Sequence, residues 1–331
     1  MHDKLHQLAS QFNLQPLARS QLWHIAEINS PPKNFAKQLQ RLLIIVAALL
    51  IGVGAIFWIA ANWQQWGKFV KFGLVEASLV CATVGALLSS KGRVAALLLC
   101  TLLLGALLAL IGQTYQTGAD PWQLFAIWAL LAIPWMIAAR RDLLWSFWIL
   151  ICATGISLWV GARVGGIANI LFDSYWQIGA DWLMWFFLVA VAYGIERFAL
   201  PTDATQRPQW TLRLALVLAL AAITAYAATA IFAHNPGIFV LGLVLVGLVC
   251  AAVWARQPRD LAALSVAVLA LDVLLISAWI RLLTSTSLDI VAFLIIGLGA
   301  AVIVGASVTF LMRIYRSQSS STGASSYGPN Q

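Results

Sequence analysis

Two acidic residues lie inside long apolar stretches, where a charge is costly. Glu76 falls in the stretch 69–88, and Asp272 falls in the stretch 261–280. At 1.5 Å per residue, Asp272 stands about 16 Å along its stretch, and Glu76 about 10 Å along the other. A charged side chain at the middle of a bilayer costs at least about 2.5–3.5 kcal/mol, so both should face protein or water. They are candidates for an intramembrane polar site that binds protons or cations, or for hydrogen-bonding groups between helices.

A second polar group follows the third apolar stretch. The segment 112–120 supplies hydrogen-bond donors and acceptors from Gln113, Tyr115, Gln116 and Asp120. We expect this segment to fold back over the outer ends of the first two spans and to meet Asn62 and Glu76. The result would be a small, mildly anionic outer pocket that suits a cation or a hydroxyl-bearing headgroup. The alternative is a hydrogen-bonded loop that only seals the bundle.

Patterns that support standard catalysis are absent from the sequence. It has no phosphate-binding glycine loop, no zinc-binding His-Glu pattern and no Gly-x-Ser-x-Gly elbow. Its four cysteines all fall in apolar runs, which is typical of small buried side chains. The sequence therefore predicts no catalytic residue, no metal site and no cofactor.

The elements that carry these residues follow from composition. The chain has 331 residues, of which 62% are apolar and 10% are charged, whereas soluble domains are nearer half apolar and a quarter charged. This excludes a disordered chain, and continuous apolar runs exclude a transmembrane β-barrel. The fold class predicted is all-α, a polytopic transmembrane helix bundle of about ten spans. The predicted spans are 42–61, 69–88, 94–112, 122–139, 143–161, 182–199, 212–232, 237–255, 261–280 and 289–312.

Basic residues predict the orientation of the bundle. The chain has 20 lysines and arginines. With both termini in the cytoplasm, the outer side carries four of them and the cytoplasmic side carries the other 16. The four outer residues are Lys68, Lys71, Arg163 and Arg281.

Three regions are expected along the chain. Residues 1–40 form a cytosolic helical head, a short hairpin that can dock protein partners. Its first 34 residues carry a net charge of only about +1, which argues against nucleic acid. Residues 41–313 form the ten-helix membrane domain, and 314–331 form a disordered cytosolic tail rich in Ser, Gly, Asn and Gln.

Lipid and self-association surfaces are predicted as well. Lys33, Lys37 and Arg41 recur every four residues and would form one basic face beside anionic lipid headgroups. On the last span, the small residues Gly297, Ala301 and Gly305 are also four apart. Such a ridge permits close helix packing, and it is the surface through which the chain could form a homo-oligomer.

Five acidic residues lie at the ends of predicted spans, where they can have structural roles. Asp120 and Asp181 precede two predicted spans on the outer side. Asp142 and Asp260 precede two predicted spans on the cytoplasmic side. They indicate either a degenerate two-helix repeat or helix N-caps. Glu196 stands beside Arg197, and we expect these two residues to form a surface ion pair.

Two segments resemble a known family. Gly-Ala-Ile-Phe-Trp-Ile-Ala-Ala-Asn-Trp ends the first span at residues 54–63, and Gln-Thr-Tyr-Gln-Thr-Gly-Ala-Asp-Pro-Trp occupies 113–122. With the short head, these segments resemble the bacterial inner-membrane family called domain of unknown function 2157, over residues 1–160 or so. The resemblance implies a multi-pass membrane fold and a location in the bacterial inner membrane. It supplies no reaction, substrate or cofactor.

Three classes of function fit these observations. A multi-pass inner-membrane protein with polar groups inside its bundle could transport a small solute or ion. Alternatively, it could be a membrane sensor or an assembly protein that docks partners through its cytosolic head and outer loops. A membrane enzyme is less favoured because only the outer group near Glu76 offers a polar cluster at one depth.

Overall fold

A computed structural model describes residues 35–61, 66–116, 118–163, 175–200, 210–233, 235–256, 260–284 and 290–324. Within those ranges the chain forms ten helices and no strand. All ten are long and apolar enough to cross a membrane. The predicted all-α polytopic bundle is therefore confirmed. The predicted hairpin in residues 1–34 lies outside the described residues.

The helix bounds follow the predicted spans closely. In chain order the helices are α1 (Phe35–Ala61), α2 (Lys68–Leu88), α3 (Arg93–Tyr115), α4 (Pro121–Ala139), α5 (Asp142–Arg163), α6 (Tyr175–Gly194, continued by a π-helical turn over Ile195–Ala199), α7 (Trp210–Phe232), α8 (Pro236–Ala255), α9 (Leu261–Thr284) and α10 (Ile290–Ala324).

Several boundaries differ from the predicted spans and regions. Helix α6 begins at Tyr175, seven residues before the predicted residue 182, and α9 ends at Thr284, four residues after the predicted end. Helix α1 begins at Phe35, so the last residues of the predicted head belong to the first membrane helix. Helix α3 continues to Tyr115, into the segment that was predicted to be a loop. Helix α10 runs on to Ala324, so helix also covers the start of the predicted tail. A helix that has already formed extends at low cost, and composition alone does not register this.

Two helices organise the packing. Helix α3 lies at the centre of the first half, where α1, α2 and α4 pack against it. Helix α7 has the same place in the second half and contacts α5, α6, α8 and α9. The α5–α7 contact joins the halves, and α10 packs chiefly against α9. Helix α10 is thus the peripheral element at one edge of the bundle.

Tryptophans pack against glycines where helices approach most closely. A Cβ added to Gly105 would overlap the ring of Trp128, whose Nε1 donates to the carbonyl oxygen of Thr101 at 2.8 Å. A Cβ added to Gly299 would overlap the ring of Trp279. Small residues let backbones approach in membranes, and the indole N–H satisfies a carbonyl that water cannot reach. Several tryptophans therefore stabilise helix–helix contacts.

The helix ends carry most of the charge. We call the end of the bundle with Arg140, Arg213 and Arg256 the basic end, and the other end the opposite end. Helices α3, α5, α7 and α9 begin at the basic end, so each runs from it toward the opposite end. Long apolar side chains cover the outside of the bundle, as expected for a surface in contact with lipid.

Candidate functional site

Asp272 lies inside the bundle at the middle of α9. It follows the first residue of that helix by 11 positions, or about 16 Å. Its exposure is 5%, and the hydroxyl of Ser307 on α10 donates a hydrogen bond to its Oδ1 at 2.6 Å. The carboxyl group therefore sits in the contact between α9 and α10, about halfway across the membrane.

Several contacts hold Ser307 opposite this carboxyl group. Toward the opposite end, Trp279 Nε1 donates to the carbonyl oxygen of Ile295 at 3.2 Å, beside Gly299. Toward the basic end, the rings of Trp254 and Phe310 stack with centroids 5.1 Å apart. Ile314 packs there against a small cluster with Leu264 and Val268. Packing of α10 against α9 on one side of Ser307, and against α8 and α9 on the other, thus fixes the height of α10 in the bundle.

Among the described residues of the helices that pack against α9, none is a cation at the depth of Asp272. The ionisable groups of α7 and α8 nearest the middle of the membrane are Tyr226 and Cys250, and those of α10 stand only near its basic end. Arg213 and Arg256 also lie at the basic end. Within the described part of α7–α10, Asp272 is accordingly the one acidic group at mid-depth. Its hydrogen-bond partner Ser307 is uncharged.

Glu76 lies in a different environment. It is exposed on α2, on the side that turns away from the contact with α3. No other described residue forms a hydrogen bond or ion pair with it. Its carboxyl group stands about 12 Å along α2, eight residues after Lys68. The second predicted intramembrane acid therefore faces outward from the bundle.

The predicted outer pocket stays a prediction. Gln113, Tyr115, Gln116 and Asp120 are all exposed, and Asn62 lies outside the described residues. The ring of Tyr115 contacts Phe72, one turn before Glu76, with centroids 6.1 Å apart. Gln116 takes a left-handed conformation at φ 44°, and this turn ends α3.

The aspartates near helix ends differ in what they bind. Asp260 accepts from the backbone N–H groups of Ala262 and Ala263, so it caps α9 as predicted. Asp120 does not cap α4, because its carboxylate binds Trp122 Nε1 at 3.3 Å instead. An aspartate just before a helix therefore predicts a side-chain cap correctly at α9 and wrongly at α4.

Asp142 binds a different helix from its own. Its Oδ1 accepts from the N–H of Thr211 at 3.1 Å and from the hydroxyl of Thr211 at 2.6 Å. Its Oδ2 accepts from the N–H of Trp210 at 3.0 Å. Asp142 belongs to the first turn of α5, and these bonds cap the start of α7, so they tie the two halves of the bundle together.

A bidentate ion pair joins α7 to α9 at the basic end. Arg213 Nε and Nη2 donate to the two carboxylate oxygens of Asp260 at 2.8 and 3.0 Å. Burial alone would raise the pKa of Asp260. Hydrogen bonds from Arg213 and from the backbone of Ala263 and Ala262, together with the guanidinium charge, outweigh burial and hold that pKa below its ordinary value. Asp260 is therefore an anion at neutral pH.

The expected surface pair of Glu196 and Arg197 is wrong. Glu196 is buried, with 7% exposure, and its Oε1 accepts from Arg256 Nη2 of α8 at 3.3 Å. The reason is the π-helical turn over Ile195–Ala199, in which Leu200 N–H donates to the carbonyl oxygen of Ile195 at 3.2 Å. That turn displaces the helix end and directs Glu196 toward α8.

The remaining predicted surfaces are exposed. Lys37 and Arg41 are exposed on α1, where headgroup binding stays a prediction, and Lys33 lies outside the described residues. Gly297, Ala301 and Gly305 are exposed on α10, and nothing lies within 4 Å of a Cβ built on either glycine. In the described ranges, no group of three His, Cys, Asp or Glu side chains could hold a metal ion.

Ten apolar helices with charges gathered at their ends define a polytopic membrane protein. Residues 6–145 match the family model described as Predicted membrane protein (DUF2157), which confirms the resemblance noted from the sequence. No curated protein and no solved structure matches the chain. The family match contains Glu76 and the outer segment 112–120, and it ends in the first turn of α5. Asp272 and Ser307 lie beyond it.

Proposed function

We propose that this protein transports protons or small cations across the membrane and that Asp272 is the coupling site. The observation that carries the proposal is the buried carboxyl group at mid-depth, with the uncharged Ser307 as its hydrogen-bond partner. A lone charge there is costly, so the group gains from holding a proton or a cation. Intramembrane carboxyl groups of this kind mark ion pathways and proton relays.

The contact with α10 suggests how binding is coupled to movement. An ionised Asp272 accepts the hydroxyl hydrogen of Ser307, whereas a protonated Asp272 can donate its own hydrogen. Loss of the carboxylate charge weakens a charge-assisted hydrogen bond between the two helices. Because α10 packs chiefly against α9, a change in this bond acts directly on the contact between these two helices.

Flux measurements test the coupling role. The full-length protein would be reconstituted into vesicles with an internal pH-sensitive dye and a potassium diffusion potential. We expect proton or sodium flux from the wild type and at least about a tenfold loss in Asp272→Asn, which keeps hydrogen-bonding capacity but not the charge. Asp120→Asn, an exposed acid outside the bundle, is the matched control and should keep full flux. Unchanged flux in Asp272→Asn, or no proton, sodium or potassium flux in the wild type, would contradict the proposal.

We further propose that the protein lies in the bacterial inner membrane with both termini in the cytoplasm. The excess of basic residues at one end supports this orientation. Reporter fusions after residues 91, 140, 207 and 257 should all report cytoplasm, and fusions after 66, 117, 173 and 285 should report the outer side. A fully inverted set would reject the orientation.

A further inference from the structure

Four helix ends meet at one corner of the basic end. The ends of α2 and α4 and the starts of α3 and α5 share one hydrophobic cluster, against which Val94 and Ala139 pack. Cations stand directly beside these two residues, because Arg93 precedes Val94 and Arg140 follows Ala139. We call the four cations of these two connections, all of them exposed, the basic corner: Lys91, Arg93, Arg140 and Arg141.

The described acids of the basic end are bound elsewhere. Asp142, which follows Arg141, accepts hydrogen bonds from the start of α7. Glu196 pairs with an arginine of α8, and Asp260 pairs with an arginine of α7. The four side chains of the basic corner form no hydrogen bond or ion pair with any described residue. The corner thus has an excess of positive charge and of unused hydrogen-bond donors.

Trp145 adds a buried donor without an acceptor at the same place. It lies one turn after Arg141, belongs to the cluster of the corner and is 5% exposed. No described residue accepts a hydrogen bond from its Nε1. The neighbouring indoles of Trp128 and Trp148, in contrast, each donate to a backbone carbonyl oxygen at 2.8 Å. Because a buried donor without an acceptor is costly, the corner lacks a group rich in acceptor oxygens.

The apolar surroundings of the corner narrow the class of that group. Leu88, Ile137 and Leu143 each lie within one turn of one of the four cations, and all three are exposed. A free anion or an acidic peptide would bind the cations but leave these side chains uncovered. An amphiphile with an anionic head and apolar chains satisfies both surfaces, and it is the kind of molecule that surrounds membrane helices at their ends.

We propose that the basic corner binds the headgroup of an anionic phospholipid. Phosphate oxygens accept hydrogen bonds from the four cations, and the acyl chains cover Leu88 and Ile137. The cations form two pairs, one between α2 and α3 and one between α4 and α5, so a lipid with two phosphates matches the corner best. The proposal does not rest on the transport role of Asp272, which lies in the other half of the bundle.

Arg140 allows binding to be separated from folding. It ends α4 in a left-handed conformation at φ 48°, and its N–H donates to the carbonyl oxygen of Met136 at 3.2 Å. Glycine adopts this conformation without strain. Arg140→Gly should therefore keep the helix end and the stability of the fold while it removes one cation from the corner.

Lipid titrations of the full-length protein in detergent, followed by native mass spectrometry, test the site. The probes are diphosphatidylglycerol, phosphatidylglycerol and phosphatidylcholine. We expect the wild type to bind diphosphatidylglycerol at least about tenfold more tightly than phosphatidylcholine. Arg140→Gly and Arg93→Gln should each weaken that binding about fivefold, and about 25-fold together. Arg313→Gln is the matched control, because Arg313 is an exposed arginine at the basic end of α10, in the other half of the bundle.

Three outcomes would overturn the proposal. Equal affinity of the wild type for the anionic lipids and for phosphatidylcholine would remove the site. Equal losses in Arg313→Gln and Arg93→Gln would show diffuse attraction to any basic surface. Competition by glycerol phosphate as strong as that by the intact lipid would identify a soluble anion as the occupant.

A photoreactive benzophenone side chain at position 137 of the protein in native membranes tests for a protein occupant. Attachment of the probe to phospholipid is expected, and a cross-link to another protein would contradict the lipid site.

Discussion

Asp272 and Glu76 each place a carboxyl group inside an apolar helix, but the surroundings of the two groups differ. Both are acids inside apolar helices, at similar depths from the helix starts. Asp272 is buried and binds Ser307 of a neighbouring helix, whereas Glu76 is exposed and binds no described residue. The chain itself supplies a partner for the first acid. For the second, no described residue supplies one.

The difference follows from the place of each helix in the bundle. Helix α9 has neighbours on several sides, so a side chain pointing away from α7 still meets α10. Helix α2 packs mainly on α3, and a residue on its other side meets whatever surrounds the protein. An intramembrane acid on a helix with neighbours on several sides can therefore be buried inside the bundle, whereas one on a helix packed on one side can face the surroundings of the protein.

The largest expected effect concerns the attachment of α10, on which the environment of Asp272 depends. Gly299→Ala places a Cβ in the ring of Trp279 and should destabilise the folded protein by about 2–3 kcal/mol through overpacking. Gly297→Ala, two residues away and open, should instead stabilise it by up to about 1 kcal/mol because alanine favours helix. Unfolding in mixed detergent with denaturant measures both. Equal effects at the two glycines would mean that α10 does not lie on α9 as described.

For the two acids and their helices, the sequence could predict some features and not others. Helix number, approximate span bounds and the depth of both acids follow from apolar runs and helical rise. The direction in which Glu76 points does not, because it depends on which neighbour α2 packs against. The Glu196–Arg256 pair was missed for a similar reason: its residues are 60 positions apart, and a π-helical turn displaces one of them.

The candidate site was predictable in part. An acid at mid-span pointed to Asp272, but nothing local marked Ser307, since one serine in an apolar helix carries no signal. The sequence marked Asp142 and Asp260 as helix caps or as parts of a two-helix repeat. Their partners on α7, Thr211 and Arg213, emerge only when three helix ends converge at the basic end.

An intermediate effect is expected from the ion pair that fixes the start of α9. Arg213→Met keeps the length of the side chain but leaves Asp260 without its bidentate partner, and should cost about 2 kcal/mol. The pKa of Asp260 is lowered in the folded protein, so its contribution is present at neutral pH and is lost as the pH falls below about 4. The difference in unfolding free energy between wild type and Arg213→Met should therefore shrink between pH 7 and pH 3. A difference that does not change with pH would show that the methionine acts through packing alone.

The smallest effect provides the most direct comparison of the two acids. Ser307→Ala removes the hydroxyl that donates to Asp272 and should destabilise the protein by about 1 kcal/mol, the size of a single hydrogen bond between membrane helices. Glu76→Gln changes an exposed side chain and should alter the unfolding free energy of the detergent-solubilised monomer by less than about 0.5 kcal/mol. Both substitutions are close in size to the wild-type residue, so cavity effects are small and the hydrogen-bond partner decides the result. Thr309→Ala is a suitable control on α10, because its hydroxyl donates to its own helix at Gly305. A Glu76→Gln change as large as that of Ser307→Ala in the monomer would mean that Glu76 has a partner within its own chain, and the distinction between the two acids would fail.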